Sequence, residues 1–188
     1  PAGLVVNPAS GKDIRRLTGK ASVFDNREKL AIVKRALAGA VSGGLSHLYY
    51  MDDAHGIAHT AIAESALPRS IKVERIPTPK TSSALDTLAA AEAFSQTDCN
   101  VVMTLGGDGT NRAFVKGWRD ANLIPLSTGT NNVFPVLEEA TIAGMALGLM
   151  SQGKRSMGRF IQRRKVIELD LGSETDIALI DAVMTSDQ

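Results

Sequence analysis

Two spacings of apolar residues alternate along this chain. Short runs at Gly3–Val6, His47–Met51, Ile71–Ile76, Val101–Leu105 and Leu123–Leu126 are too brief for helices and read as strands. Val101 to Leu105 is mainly apolar without alternation, as in a strand covered on both faces of a parallel sheet. Ile71 to Ile76 largely alternates, which suits a half-exposed edge strand. Between these runs, apolar residues recur at helical spacing. Leu30, Val33, Leu37 and Val41 form one stripe within Arg27 to Val41. Ile57, Ala61 and Ile62 form another within Gly56 to Ser65, and Leu85, Leu88 and Ala89 a third within Ala84 to Phe94. Ile142, Met145, Ala146 and Leu149 mark a fourth, within Thr141 to Met150. Each stripe predicts a buried helix face. A further helix is expected from Asn111 to Trp118, whereas Asp13 to Asp25 has little periodicity and reads as a loop.

Strand–helix alternation of this kind predicts an α/β, three-layer, doubly wound parallel sheet over residues 1–150. Beyond residue 151 the pattern changes. Ile167 to Leu171 alternates strictly, Gly172-Ser173 opens a turn, and Ile177 to Met184 returns as a second strand. Residues 151–188 are therefore expected to be a linker and the first strands of a β-rich second domain.

Composition narrows the class without choosing a function. At 188 residues, 44% hydrophobic and 22% charged, the chain is an ordinary globular one. A net charge of +1 gives no bulk attraction to nucleic acid or to a membrane. The single cysteine, Cys99, cannot form an internal disulfide and fits a reducing, cytoplasmic setting. With no histidine near it in sequence, Cys99 is expected to be buried at a strand start rather than catalytic. His55 and His59 share a helix face, but zinc needs more ligands than this pair supplies. Asp52-Asp53 ends a strand-like run and reads as a turn and cap, or as a carboxylate pair for a metal. Lys154, Arg155, Arg159, Arg163, Arg164 and Lys165 form a basic cluster, either a solvated face or a contact for a polyanion.

Three loops carry candidate chemistry, and each directly follows an apolar strand-like run. The second, Gly106-Gly107-Asp108-Gly109-Thr110, leads straight into a helix. Its glycines permit positive φ and close approach of a ligand to bare backbone. The N–H groups of Gly109, Thr110 and Asn111 fall at a helix N-terminus, where anions bind. Asp108 is out of place among anion-binding groups: it holds a metal, takes a proton, or merely caps the helix. The first loop, Asn7-Pro8-Ala9-Ser10-Gly11-Lys12, is polar and contains a glycine. It is not a Walker A loop, because Val6 stands where the first glycine belongs and Asp13 where Ser or Thr belongs. In the third, Ser127-Thr128-Gly129-Thr130-Asn131-Asn132, hydroxyls, amides and backbone N–H groups could cradle a ribose or a phosphate. Each loop by itself could also be a plain tight turn. Ligands of open α/β sheets bind at the carboxyl ends of the strands, which is where all three lie.

Gly106 to Thr110 resembles the signature shared by NAD kinases, diacylglycerol-type lipid kinases and phosphofructokinases. The Asn-Pro-x-Ser-Gly opening at Asn7 to Gly11 resembles that of lipid kinases and of NAD-kinase-like proteins linked to acetoin catabolism. Thr128 to Asn132 resembles the Thr-Gly-Thr-Asn-Asn loop of that acetoin-linked branch. The resemblance covers nearly the whole chain in element order. It implies a kinase, with ATP or polyphosphate as phosphoryl donor, Mg²⁺ as cofactor, and the 2′-hydroxyl of NAD as the first candidate acceptor; a lipid acceptor or a non-catalytic nucleotide-binding role are the alternatives. It casts Asp108 as the catalytic carboxylate. Asn7, Ser10, Gly11, Gly106, Gly107, Gly109, Thr110, Asn111, Thr128, Gly129, Thr130, Asn131 and Asn132 become the nucleotide- and phosphate-binding set. Lipid kinases of this superfamily carry a threonine before the helix expected at Ala84 to Phe94, close to nucleotide phosphates, although plain capping is the better account of Thr81. Asp181 falls where the family has an acid that touches the dinucleotide, but Ile180 replaces the neighbouring Asn. The expected partners are small-molecule nucleotides, with neither nucleic acid nor membrane and with a homo-oligomeric state. A chain running from Pro1 to Gln188 is expected to be a piece of a longer enzyme.

Overall fold

A computed structural model describes residues 1–11, 25–128, 131–153, 155–183 and 185. Lys12, most of the loop expected before Asp25, Gly129, Thr130, Lys154 and Met184 lie outside the described residues. Five parallel strands form the central sheet: β1 Ala2–Val6, β2 His47–Met51, β3 Lys72–Ile76, β4 Val101–Gly106 and β5 Leu123–Ser127, in spatial order β3-β2-β1-β4-β5. The order reverses between β1 and β4, which are aligned so that Val6 lies beside Leu105. That reversal is the switch point at which doubly wound sheets open a crevice.

Five helices cover the sheet: α1 Asn26–Ser42, α2 Ile57–Glu64, α3 Ala84–Ser95, α4 Asp108–Gly117 and α5 Ala140–Ser151. Successive strand residues point to opposite faces, so each strand serves two cores. Leu4, Val6, Met103 and Leu105 pack with α1, α2 and α5. Val5 and Val102 pack with Phe94 of α3 and Phe114 of α4 on the other side. Two covered faces explain why β1 and β4 are buried throughout. The α/β three-layer expectation is met, and β3 is an edge strand as its alternation predicted.

Two helix faces differ from the expected ones. On α5, Ile142, Met145 and Leu149 point outward, with Ile142 62% exposed. The buried side is instead Ala140, Ala143, Gly144, Leu147 and Gly148. This small-residue side lets α5 approach α1 closely: a Cβ on Gly144 would lie 1.9 Å from the Ala36 carbonyl oxygen. On α3 the buried side is Asp86, Thr87, Ala90, Ala91 and Phe94, leaving Leu85 59% exposed. Phe94 is the large anchor here, and the helix turns to seat it. On α1 the expected stripe is kept, with Val33 and Leu37 buried and Leu30 and Val41 packed partly buried against the core, while Lys29, Ile32, Ala36 and Ala40 widen the buried side. The fourth helix, α4, begins at Asp108, three residues before the expected start.

β6 Ile167–Asp170 and β7 Thr175–Ala178 form an antiparallel hairpin as expected, but the returning strand starts two residues before the expected Ile177 and ends at Ala178. The hairpin docks on α4. Arg112 donates from Nε to the Ile177 carbonyl at 2.6 Å and pairs with Asp176, which also receives Lys116 Nζ at 3.1 Å. Arg119 pairs with Glu168.

Candidate functional site

Because β1 and β4 are parallel neighbours, the loops after them leave the sheet side by side. The Asn7 N–H donates to the Leu105 carbonyl at 3.0 Å, extending the ladder one step past the strand. Asn7 Nδ2 then donates to Thr110 Oγ1 at 2.8 Å, while Asn7 Oδ1 accepts from the Ala9 N–H at 2.9 Å. Ser10 folds back through its hydroxyl onto the Asn7 carbonyl at 2.7 Å. One asparagine thus shapes its own loop and ties it to the Gly-rich one.

The Gly-rich loop turns without left-handed backbone. None of Gly106, Gly107 and Gly109 has positive φ, which removes the first of the two reasons expected for them. Space is the reason at two of them. A Cβ on Gly106 would lie 2.4 Å from Thr110 Oγ1, and one on Gly107 would lie 2.8 Å from Asn132 Oδ1. Gly109 differs: a Cβ there would meet nothing within 4 Å. Gly107 is the N-cap of α4 and makes no side-chain cap bond. Among the described residues, no hydrogen bond takes the N–H groups of Gly109 or Thr110. Donors at a helix start, beside bare Cα, suit an oxyanion.

Asn111 faces inward. It is fully buried, accepts from Thr104 Oγ1 at 2.7 Å and donates to the Gly107 carbonyl at 2.9 Å. Its side chain therefore fixes the turn, and its N–H, expected to face an anion, donates instead to the Gly107 carbonyl at 3.2 Å. Thr110 is 5% exposed and committed to Asn7.

Asp108 occupies the first turn of α4 but does not cap it. Its Oδ1 accepts from the Phe134 N–H at 2.8 Å, and both its oxygens lie 3.1 Å from the Val133 nitrogen. This carboxylate thereby ties the third loop to the second. The Thr128 N–H donates to the Gly106 carbonyl at 3.4 Å, and Asn132 Nδ2 donates to Ser127 Oγ at 2.8 Å. Asn131 is exposed. Thr128 is 1% exposed, and its Oγ1 has no hydrogen-bond partner among the described residues. A buried hydroxyl without a partner at the end of a strand is a place where an added acceptor or donor would be held. Asp181 is exposed beyond β7, and no hydrogen bond among the described residues joins it to the three loops.

One residue of this cluster went unforeseen. Lys29, on α1, is fully buried. Its Nζ donates to the carbonyls of Pro8 at 2.8 Å and Ser10 at 2.7 Å, the backbone of the first loop. The signal was its place on the apolar side of α1, three and four residues before Ile32 and Val33.

The remaining candidates have structural roles here. Asp53 caps α2, accepting from the N–H groups of Ile57 at 3.0 Å and Ala58 at 2.9 Å. Asp52 pairs with Lys80 at 2.8 Å. His59 Nδ1 meets the Tyr50 hydroxyl at 3.1 Å, and His47 Nε2 meets Glu74 at 2.8 Å. Among the described residues, no three His, Cys, Asp or Glu side chains group as a metal site. Ser83 caps α3, while Thr81 is held by Asp86 through its N–H at 2.7 Å and its hydroxyl at 2.8 Å. Cys99 is buried against the Val101 carbonyl, and burial pushes its thiol up to about 11.

The model of the ATP-NAD kinase N-terminal domain matches residues 3–154. The chain belongs to that family. The match takes in all three loops and ends just past α5, before the hairpin. Acetoin catabolism protein X of Cupriavidus necator (strain ATCC 17699 / H16) is 33% identical over an alignment covering 97% of this chain and 54% of that protein. The chain thus spans about half the length of the curated relative it matches. No solved structure matches it significantly. No helix among the described residues is long and apolar enough to cross a membrane.

Proposed function

We propose that this NAD-kinase-like domain transfers a phosphoryl group from ATP or polyphosphate to a hydroxyl, with the 2′-hydroxyl of NAD as the first candidate acceptor. The observation that carries this reading is the position of Asp108. It stands at the start of α4, beside free N–H donors and an uncrowded Gly109, where three loops meet at the switch point. The Gly109 and Thr110 N–H groups would hold phosphate oxygens without side-chain charge. Asp108 Oδ2 bears only the longer contact from Val133, so it retains acceptor capacity toward a hydroxyl proton. Asn7 and Asn111 would hold the turn so that these groups keep their spacing through the reaction. Mg²⁺ commonly takes one or two carboxylates together with substrate phosphates, so a single Asp108 fits an ion carried in on the nucleotide. When bound, that ion supplies charge neutralisation at the phosphates.

Two observations favour a second reading, a nucleotide-binding role or another acceptor within acetoin catabolism. The similar protein of C. necator carries that process in its name. Ile180 also stands where NAD kinases carry an Asn, removing a polar contact expected for the dinucleotide. The deciding experiment offers ATP with NAD and with diacylglycerol, side by side, and identifies products by mass. Phosphorylated NAD supports the first reading and phosphorylated lipid names another acceptor. Nucleotide binding without either product supports the second reading.

A further inference from the structure

We infer that Lys29 is a positioning residue for the phosphate-binding loops, acting through the first-loop backbone on Asn7 and thence on Thr110. This role rests on the phosphoryl-transfer reading above. A lysine side chain is seldom fully buried, because its ammonium must be desolvated and its long stem immobilised. Here the whole residue is inaccessible, and its Nζ reaches two carbonyls of a single loop, Pro8 at 2.8 Å and Ser10 at 2.7 Å. A methionine or leucine would fill the same volume between α1 and the sheet without that desolvation. What the ammonium adds is directional. Two carbonyls separated by one residue are drawn toward α1, which sets the path of residues 8–10 and turns the loop's other groups away from the helix.

Asn7 precedes that clamp directly. Its carbonyl takes both the N–H and the hydroxyl of Ser10, and its amide holds Thr110 Oγ1 at 2.8 Å. Lys29 therefore lies one loop away from the N–H donors of α4. Among the described residues its ammonium meets the Pro8 and Ser10 carbonyls and, at 3.5 Å, Asn26 Oδ1, so the role inferred is one of setting geometry. Its charge also polarises the Pro8–Ala9 peptide unit, whose N–H donates to Asn7 Oδ1 at 2.9 Å.

The test uses the full chain in four forms: wild type, Lys29→Met, Asn7→Ala and the double variant. ATP affinity is measured by calorimetry well below each thermal midpoint, together with amide hydrogen exchange in the absence of nucleotide. Lys29→Met is expected to weaken ATP binding by roughly tenfold or more, as small displacements of preorganised groups do. It should speed exchange at the Asn7, Ala9 and Ser10 amides while those of Val33 to Ala40 in α1 stay protected. Asn7→Ala should weaken binding similarly, and the double variant should be no worse than the worse single one. Lys29→Met that is less stable yet binds ATP normally, with unchanged first-loop exchange, would leave Lys29 a core residue and overturn the inference. If Lys29→Met does not fold, normal ATP affinity in Asn7→Ala overturns it just as well. Failure of the wild type to bind either ATP or polyphosphate would refute the phosphoryl-transfer reading instead. The exchange arm needs no nucleotide, and equal first-loop exchange in wild type and Lys29→Met overturns the role of Lys29 alone.

Discussion

Gly109 is the residue at which packing and binding part company. Its two neighbouring glycines are required by the fold, since a Cβ on either would strike a side chain, whereas Gly109 faces open space. Gly109→Ala should therefore keep or slightly raise the stability, by at most ~1 kcal/mol, because alanine suits a helical turn better. ATP affinity should fall by roughly tenfold, the effect of a clash worth about 1.4 kcal/mol. Calorimetric affinity beside a melting curve checks both; unchanged affinity would mean that no ligand approaches this Cα. A second prediction concerns Cys99. Burial raises its thiol to about 11, so it is neutral in the folded protein at ordinary pH. The unfolded thiol ionises near 8.5, so its contribution to stability is full below about pH 8.5 and declines as pH rises toward 11. Alkylation by iodoacetamide at pH ~8 should be slow in the folded protein and fast in urea. At this scale the sequence was readable where a residue type was out of keeping with its neighbours, as Asp108 is among glycines. It was not readable where the cause is spatial. The need for glycine at Gly106 comes from Thr110 packing back against it, and the partner of Asp108 is a backbone segment some 25 residues on.

Among the elements, α5 shows how helical spacing misleads. Its sequence offers two apolar stripes, one of large residues and one of small. Burial went to the small one, because close backbone contact with α1 excludes any Cβ at Gly144. Gly144→Ala should cost ~2 kcal/mol or more, since the added carbon meets a carbonyl rather than a movable side chain. Ile142→Ser on the exposed stripe should change stability by no more than ~0.5 kcal/mol. Urea denaturation of the two variants checks this pair, and the reverse ranking would return the large stripe to the core. Strands were easier to read, since β1 and β4 are covered on both faces and leave a plain apolar run. Lys29 was passed over because a charged residue interrupts an apolar stripe, even when its stem packs within it.

Across the whole molecule, β1 and β4 bring two loops together at the switch point, and α4 connects them to the hairpin. Asp176 is the hinge of that connection. The Ile177 N–H first, then Lys116 and Arg112, hold its carboxyl below the ordinary aspartate range. A lowered value means that the docking contribution is present above the ordinary aspartate pKa of about 3.9 and is lost as pH falls through the folded one. An NMR titration following the Asp176 carboxyl carbon and the Arg112 Nε–H should show both moving together below about pH 4. Independent titration would mean that the hairpin is not held by this pair. The central claim, that Asp108 serves phosphoryl transfer to a hydroxyl, is tested most directly by one paired measurement. Wild type and Asp108→Asn are incubated with ATP, Mg²⁺ and NAD, the initial rate of NAD phosphorylation is followed, and each preparation's thermal midpoint is recorded. An asparagine oxygen can still accept from Val133 and Phe134, so the loops should remain tied and the midpoint should hold. The account predicts a rate lower by ~10²–10⁴, the worth of a positioned acid–base group. A near-normal rate in Asp108→Asn would contradict it.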